Sequence, residues 1–396
     1  MNIVFSGEDA PRSFSKSIFL AGPTPRNEKI KSWRPDALKI FKSLGYDGVV
    51  FVPEFRNGSC AKPPAEWTYE KQCNWEHKYL DMADIILFWV PRTLRTMPAF
   101  TTNVEFGLYA NSGKIVLGTP KNWRKFPKNR YLNFMANKLS IPRYLTLEET
   151  ISGALAVISN GALRRGGECS VPLNIWKTMP FQSWYKAQIA QGNKLENAKA
   201  ISVFHKVGAE KKIVWGWSMR PNIYISREKR HKYNDPILAR PDISSVVLIK
   251  RERDAMASKA ILVREFRSAV SNSEAFVLEA PSGSSHDINE SPIDVALQEL
   301  AEETGFALDK SRLKILGSRQ LAATFSIHKA HVYFAEITED ELNWFLKRAG
   351  KLKINDKDET GEKLYIEIKT IEQILKNDLL DWSNVGMILS AINNIK

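Results

Sequence analysis

The stretch Asp84-Ile-Ile-Leu-Phe-Trp-Val90 decides how the first half of the chain folds. After its aspartate every position is apolar, so a strand here has no face left for water. Strands of that kind lie in parallel sheets covered by helices on both faces. Working outward, the same pattern recurs at Ser17-Ile-Phe-Leu-Ala21, Gly48-Val-Val-Phe-Val52 and Lys114-Ile-Val-Leu117. Between these runs the periodicity predicts helices over Trp33 to Leu44, Tyr69 to Met82 and Thr102 to Asn111. Strand and helix in alternation give an α/β domain with a parallel sheet. Ligands of such sheets bind beyond the carboxyl ends of the strands, which directs attention to Gly22-Pro23, Pro53-Glu54 and Pro91-Arg92.

Past residue 155 the pattern weakens. Arg164 to Glu168 reads as a linker, and Val171 to Asn193, rich in Trp, Tyr and Gln, as a packing or dimer-contact element with a helix near Gln182 to Gln191. From 211 onward strands dominate: Lys212 to Trp217, Ser244 to Lys250, Ala260 to Phe266, Phe276 to Glu279, Leu313 to Leu321 and His331 to Glu336. A helix over Pro292 to Thr304 interrupts them, and a helical tail follows, an α+β order. The expected division is therefore 1–155, a connecting element 156–210, and 211–396.

Bulk properties narrow the class. A chain of 396 residues, 43% hydrophobic and 26% charged, is an ordinary multidomain globular protein. Its three cysteines have no paired or zinc spacing, and His328 and His331, the only close histidines, read as structural. The segment Met1 to Ser15 lacks a signal-like apolar core, and Ile85 to Val90 is too short to span a bilayer. A soluble, cytoplasmic homo-oligomer with no membrane partner is expected. The net charge of +13 favours anionic partners. Two basic clusters, Lys121 to Arg130 and Arg227 to Lys232, suit a nucleotide or dinucleotide substrate, a solvated loop, or nucleic acid; Trp123 and Phe126 would add stacking to the first.

One candidate site lies in Phe100-Thr-Thr-Asn-Val-Glu-Phe-Gly107, where Thr101, Thr102 and Asn103 are N-cap candidates. They would put Glu105 in the first helical turn, where the dipole favours an ionised carboxylate. With Asp84 it would supply the two acids that N-glycosidic cleavage uses. Ile18-Phe-Leu-Ala-Gly-Pro23, the step Ala83-Asp84 and Thr102-Asn-Val-Glu-Phe-Gly107 together resemble the nucleoside 2-deoxyribosyltransferase superfamily. The resemblance covers about residues 15–140 and implies a flavodoxin-like sheet. It implies Glu105 as nucleophile, Asp84 for sugar positioning or proton transfer, and Gly22, Pro23 and Asn103 near the sugar. Trp89-Val-Pro-Arg92 is more basic than plain nucleosides need, so Arg92, with Arg26, is expected to hold a 5′-phosphate.

A second site lies in Gly283-Ser-Ser-His-Asp-Ile-Asn-Glu290 and Gln298-Glu-Leu-Ala-Glu-Glu-Thr-Gly-Phe306. On a helix, Glu299, Glu302 and Glu303 share a face and repel one another unless a divalent cation neutralises them. Hard oxygen donors point to Mg²⁺ or Mn²⁺ as cofactor. This stretch resembles the Nudix box, and Leu262-Val-Arg-Glu-Phe-Arg267 and Leu278-Glu-Ala-Pro-Ser-Gly283 resemble the preceding strands of ADP-ribose-type Nudix hydrolases. The resemblance implies a mixed-sheet α/β/α sandwich, Glu299, Glu302 and Glu303 as metal ligands, Glu302 and Glu303 as catalytic groups, and Arg267 on substrate. Ser284 stands at the box glycine and Gln298 at the box arginine, so the carboxylates are held less firmly. Glu359 or Glu362 is the expected further base. Together the two sites predict a bifunctional nucleotide-processing enzyme; the alternative is a nucleotide sensor with a ligand-binding second domain.

Overall fold

The computed structural model describes residues 1–58, 64–121, 127–205, 213–285, 290–354, 363–376 and 378–394. The chain divides into two compact units, Met1–Ala239 and Arg240–Lys396.

The first unit begins with β1 (Asn2–Phe5), β2 (Ser13–Phe14), β3 (Ser17–Ala21), α1 (Arg34–Ser43), β4 (Val49–Val52) and α2 (Tyr69–Met82). There follow β5 (Ile85–Trp89), α3 (Phe100–Tyr109), β6 (Ile115–Gly118), α4 (Arg130–Lys138), β7 (Arg143–Tyr144) and α5 (Leu147–Ile158). Six strands form one sheet in the order β1-β4-β3-β5-β6-β7, and each adjacent pair is parallel. Without the added edge strand β1, this is the flavodoxin-like order, which reverses direction between β3 and β5. Side chains alternate across the sheet. Ile18 and Leu20 pack with Ala37 and Phe41 of α1 and with Ile151 and Ala154 of α5. Phe19 and Ala21 pack with Trp75 and Tyr79 of α2, Phe106 of α3 and Leu132 of α4. Helices thus cover both faces.

The stretch read as a linker folds instead. Strand β8 (Arg164–Arg165) pairs with β2. Helices α6 (Leu173–Trp176) and α7 (Met179–Ala190) lead into a hairpin of β9 (Lys194–His205) and β10 (Val214–Ile225). Strands β11 (Arg230–Lys232) and β12 (Ile237–Ala239) pair with β10. Trp217 of β10 is buried and packs on Phe181 of α7, with ring centroids 5.9 Å apart. The first compact unit consequently runs to Ala239, beyond the limit at 210 expected from sequence.

The second unit contains β13 (Ile243–Lys250), β14 (Lys259–Phe266), β15 (Phe276–Glu279), β16 (Ser282–Gly283), α8 (Pro292–Thr304) and β17 (Lys314–Gln320). After these come β18 (Lys329–Glu336), α9 (Glu339–Leu346), β19 (Leu352–Ile354), β20 (Lys363–Thr370), α10 (Ile371–Lys376) and α11 (Trp382–Asn394). Its strands make one mixed sheet, in which β13 and β18 run parallel and β14 is antiparallel to β13, β15 and β20. Ala296 and Leu300 of α8 and Phe345 of α9 cover Leu248 and Ile261. Ile374 of α10 and Ile388 of α11 cover Val247 and Leu262. The layering is α/β/α. Helix α8 has the bounds its sequence signals predict: Ser291 caps the start, and Gly305 closes the end at φ 76°.

Candidate active site

Beyond the carboxyl ends of β3, β4 and β5 lies a cavity of about 290 Å³. Gly22, Pro23, Thr24 and Arg26 line it after β3, Pro53 after β4, and Pro98 to Thr102 with Glu105 after β5. Helix α2 contributes Tyr69, Gln72, Cys73 and Glu76. This is the point where the sheet reverses its winding, so the loops on either side diverge and leave a crevice.

The walls are fixed by close backbone contact and one buried cation. Gly22 has φ +149°, and a Cβ there would stand 2.2 Å from the Trp89 carbonyl oxygen, so no larger residue fits. Arg34, 1% exposed, donates to the carbonyls of Leu20 (3.2 Å) and Gly22 (2.7 Å), to Thr24 Oγ1 (3.0 Å) and to Glu54 Oε1 (2.6 Å). Trp33 Nε1 donates to the Pro23 carbonyl at 3.2 Å. One guanidinium therefore ties the loop after β3 to the end of β4. A buried charge is tolerated when its donors are paired in this way.

Helix α3 starts earlier than the sequence suggests. Its N-cap is Ala99, in left-handed conformation at φ 59° and without a side-chain cap. A non-glycine residue in that region is strained, and strain of this kind gathers at functional sites. Because the helix begins at Phe100, Glu105 falls in its second turn, and no acid occupies the first. The expectation that the dipole keeps Glu105 ionised is thereby corrected. Burial pushes its carboxyl up to about 7, the charge of Glu76 adds to the rise, and Arg34 opposes it. Burial also raises Glu76, while an amide hydrogen bond from Gln72 at 2.8 Å works against the rise. The cavity thus holds two carboxyls of weakened acidity facing each other's field.

The structure does not bring Asp84 to this pair. It sits at the amino end of β5 and accepts from both Nη atoms of Arg164 (2.7 and 2.6 Å), Ser17 N (2.8 Å), Ser17 Oγ (3.1 Å) and Leu173 N (2.9 Å). Those donors saturate it within the protein. Arg92 and Asn103 also lie outside the cavity lining and bond to each other. Gly22, Pro23 and Arg26 do line it. Sequence reasoning missed Glu76 and Arg34. A signal for Glu76 existed: Tyr69, Gln72, Cys73 and Glu76 follow the spacing of one helix face, normally apolar, here mostly polar.

The second unit gathers carboxylates around α8. Ser282 N donates to Glu303 Oε2 at 3.1 Å, and a Cβ at Gly283 would meet Glu299 Oε1 at 2.1 Å. Glu303 is raised well above the usual carboxylate range by burial, then by the charges of Glu299, Glu265 and Glu279. Arg267 pairs with Glu265 (2.7 Å) and Glu279 (3.2 Å). Glu302 accepts from Gln298 Nε2 at 3.2 Å. The mutual repulsion around Glu303 suits a hard cation, although among the described residues no three such side chains are arranged as a metal cage. Glu359 and Glu362 lie outside the described residues.

Residues 15–123 match the family model described as nucleoside 2-deoxyribosyltransferase like. The match does not extend into the second unit, and no curated protein matches the chain. It ends after β6, so it includes the loop after β3, the carboxyl-bearing face of α2, and α3. From Ser15 to Trp123, then, the chain is similar to the nucleoside 2-deoxyribosyltransferase-like family.

Proposed function

We propose that the first unit breaks the N-glycosidic bond of a nucleotide, with Glu105 as nucleophile and Glu76 as its proton-handling partner. The observation that carries this reading is the pair of half-buried carboxyls lining one cavity, with burial and mutual charge raising both. The ionised Glu105 attacks C1′, and the C1′–N bond breaks with its electrons leaving on the base. Glu76 gives that base a proton. Water or a second base then attacks C1′ and releases Glu105. Incubation with nucleosides, nucleoside monophosphates, NAD and ADP-ribose, followed by mass spectrometry, tests it. Absence of free base or ribosyl exchange with all of them refutes the proposal.

Arg26 is the group we assign to a 5′-phosphate. It is exposed at the cavity and has no carboxylate partner among the described residues, whereas Arg92 is engaged by Asn103. A charge-assisted bond of about 1.5–3 kcal/mol makes Arg26→Ala raise KM for a monophosphate roughly ten- to hundredfold. The corresponding nucleoside should be affected less than about threefold. Equal losses on both substrates would remove the phosphate role.

For the second unit we propose Nudix-type hydrolysis of a nucleoside-diphosphate linkage. Its support is the carboxylate cluster of Glu299, Glu303, Glu265 and Glu279 on an α/β/α scaffold. Mg²⁺ or Mn²⁺ would supply Lewis-acid chemistry at the phosphate when bound, held by Glu299 and Glu303. The sequence pattern adds Glu302 as a further candidate ligand. A dinucleotide such as NAD, or ADP-ribose, would give both units work on one molecule. Monophosphate release from ADP-ribose should require added Mg²⁺ and fall at least about 100-fold in Glu303→Gln. Tight ADP-ribose binding without any release would favour the sensor reading instead.

A further inference from the structure

The sheet of β9, β10, β11 and β12 buries one face and leaves the other unclaimed by either proposed activity. Trp217, Met219 and Pro221 of β10 point inward, with Leu195 and Ala198 of β9. The alternate positions of β10 form the outer face, and residues directly opposite in an antiparallel pair share a face. Tyr224 stands between Lys194 and His231, Asn222 opposite Asn197, Arg220 opposite Lys199, and Ser218 opposite Ser202. Two contacts confirm the common side: the Tyr224 and His231 rings lie 5.1 Å apart, and the Ser202 and Ser218 hydroxyls are 2.6 Å apart.

Two features of this face call for an anion. Lys199 and Arg220 are like charges in directly opposed positions, a destabilising arrangement for an isolated sheet. None of these rows contains a carboxylate. Asp81 of α2 lies 3.4 Å from Lys199, and exposed Glu196 sits at the bulge between Leu195 and Asn197 of β9. Arg220 and Lys194 are exposed and have no carboxylate partner among the described residues. Interleaved with the cations are the Tyr224 and His231 rings, while asparagine amides and serine hydroxyls occupy the intervening rows. Spaced cations, aromatic rings and hydrogen-bonding groups on one sheet face are the chemistry that holds a single strand of nucleic acid, phosphates on the cations and bases on the rings.

We propose that this face binds single-stranded nucleic acid. It is separate from the carboxylate cavity and does not depend on the glycosidic reading.

Fluorescence anisotropy of the full-length protein with a labelled 20-nucleotide oligo(dT) tests it, with heparin as a polyanion that cannot stack. Oligo(dT) should bind, and Lys194→Gln with Arg220→Gln should weaken it at least about tenfold at low salt. If each contacts one phosphate, the double variant should also lower the slope of log K against log salt by about 1.4. Tyr224→Leu should weaken oligo(dT) several-fold and leave heparin unchanged. Thermal melts of each variant establish folding, and the milder Lys199→Gln replaces any that fails. Lys128→Gln with Arg130→Gln, in the other basic stretch, should change affinity less than twofold. No oligo(dT) binding, or binding insensitive to the hairpin variants, overturns the proposal. So does equal loss of oligo(dT) and heparin in Tyr224→Leu, which would mean simple polyanion attraction.

Discussion

Replacing Glu105 with Gln is expected to lower kcat/KM for base release by at least about 10³-fold, because the nucleophile is removed while the cavity keeps its shape. The pH profile gives a sharper test than the loss itself. Attack needs the ionised carboxylate, and the Glu105 carboxyl sits at about 7. Activity should therefore rise as pH passes through that value. Glu76→Gln removes one cause of the rise, so the limb should move to lower pH, and loss of the proton donor should lower the plateau by about 10²–10⁴-fold. Stability should move the other way. A carboxyl raised from 4.5 to about 7 favours the folded state while protonated. That contribution is complete below about 4.5 and is lost as pH rises from there through 7, an amount of about 3 kcal/mol. Glu105→Gln should accordingly unfold at a higher temperature than the parent at pH 8, with the gap narrowing at pH 5. A carboxylate serving only to cap or solubilise its helix would give neither the limb near 7 nor the stabilisation.

How far the sequence reveals this site depends on the kind of residue. Strands β3, β4, β5 and β6 were legible because a parallel strand buried on both faces leaves an uninterrupted apolar run. The limits of α2 and α8 were legible because Thr68 and Ser291 cap them and Gly305 closes the second. The start of α3 was not, since Ala99 takes a strained left-handed turn that its residue type does not advertise. Glu76 was passed over because a glutamate on an amphipathic helix reads as solvent-facing, and only the closure of three loops over it makes a cavity. The helix pattern around Glu299 and Glu303 was visible, but side-chain direction was not. Gln298, for one, bonds Glu302 at 3.2 Å. Arg164 misled most. Beside Gly166 and Gly167 it has the composition of a linker, yet it is fully buried.

That burial sets up the largest expected effect on stability. Arg164 joins the region after α5 to the amino end of the sheet: it donates to Asp84 at 2.6 and 2.7 Å and to the Val171 carbonyl at 2.6 Å. Arg164→Met would leave the Asp84 carboxylate buried with donors only from Ser17 and Leu173. Breaking one side of such a pair costs about 3–5 kcal/mol, whereas replacing both sides with apolar groups is often nearly neutral. For a unit spanning Met1–Ala239 that amounts to a fall in Tm of roughly 6–20 °C. Arg164→Met with Asp84→Leu should recover at least half of it. The same series separates structure from chemistry for Asp84, which the family resemblance places near the sugar. If its role is to anchor Arg164, the folded Asp84→Asn protein should release base at a rate within about threefold of the parent, despite its lower Tm. A loss of kcat of about 10²-fold or more in well-folded Asp84→Asn would instead return this carboxylate to the reaction. It would also require the amino end of β5 to open toward the cavity, a movement that hydrogen exchange at Ser17 and Leu173 would register.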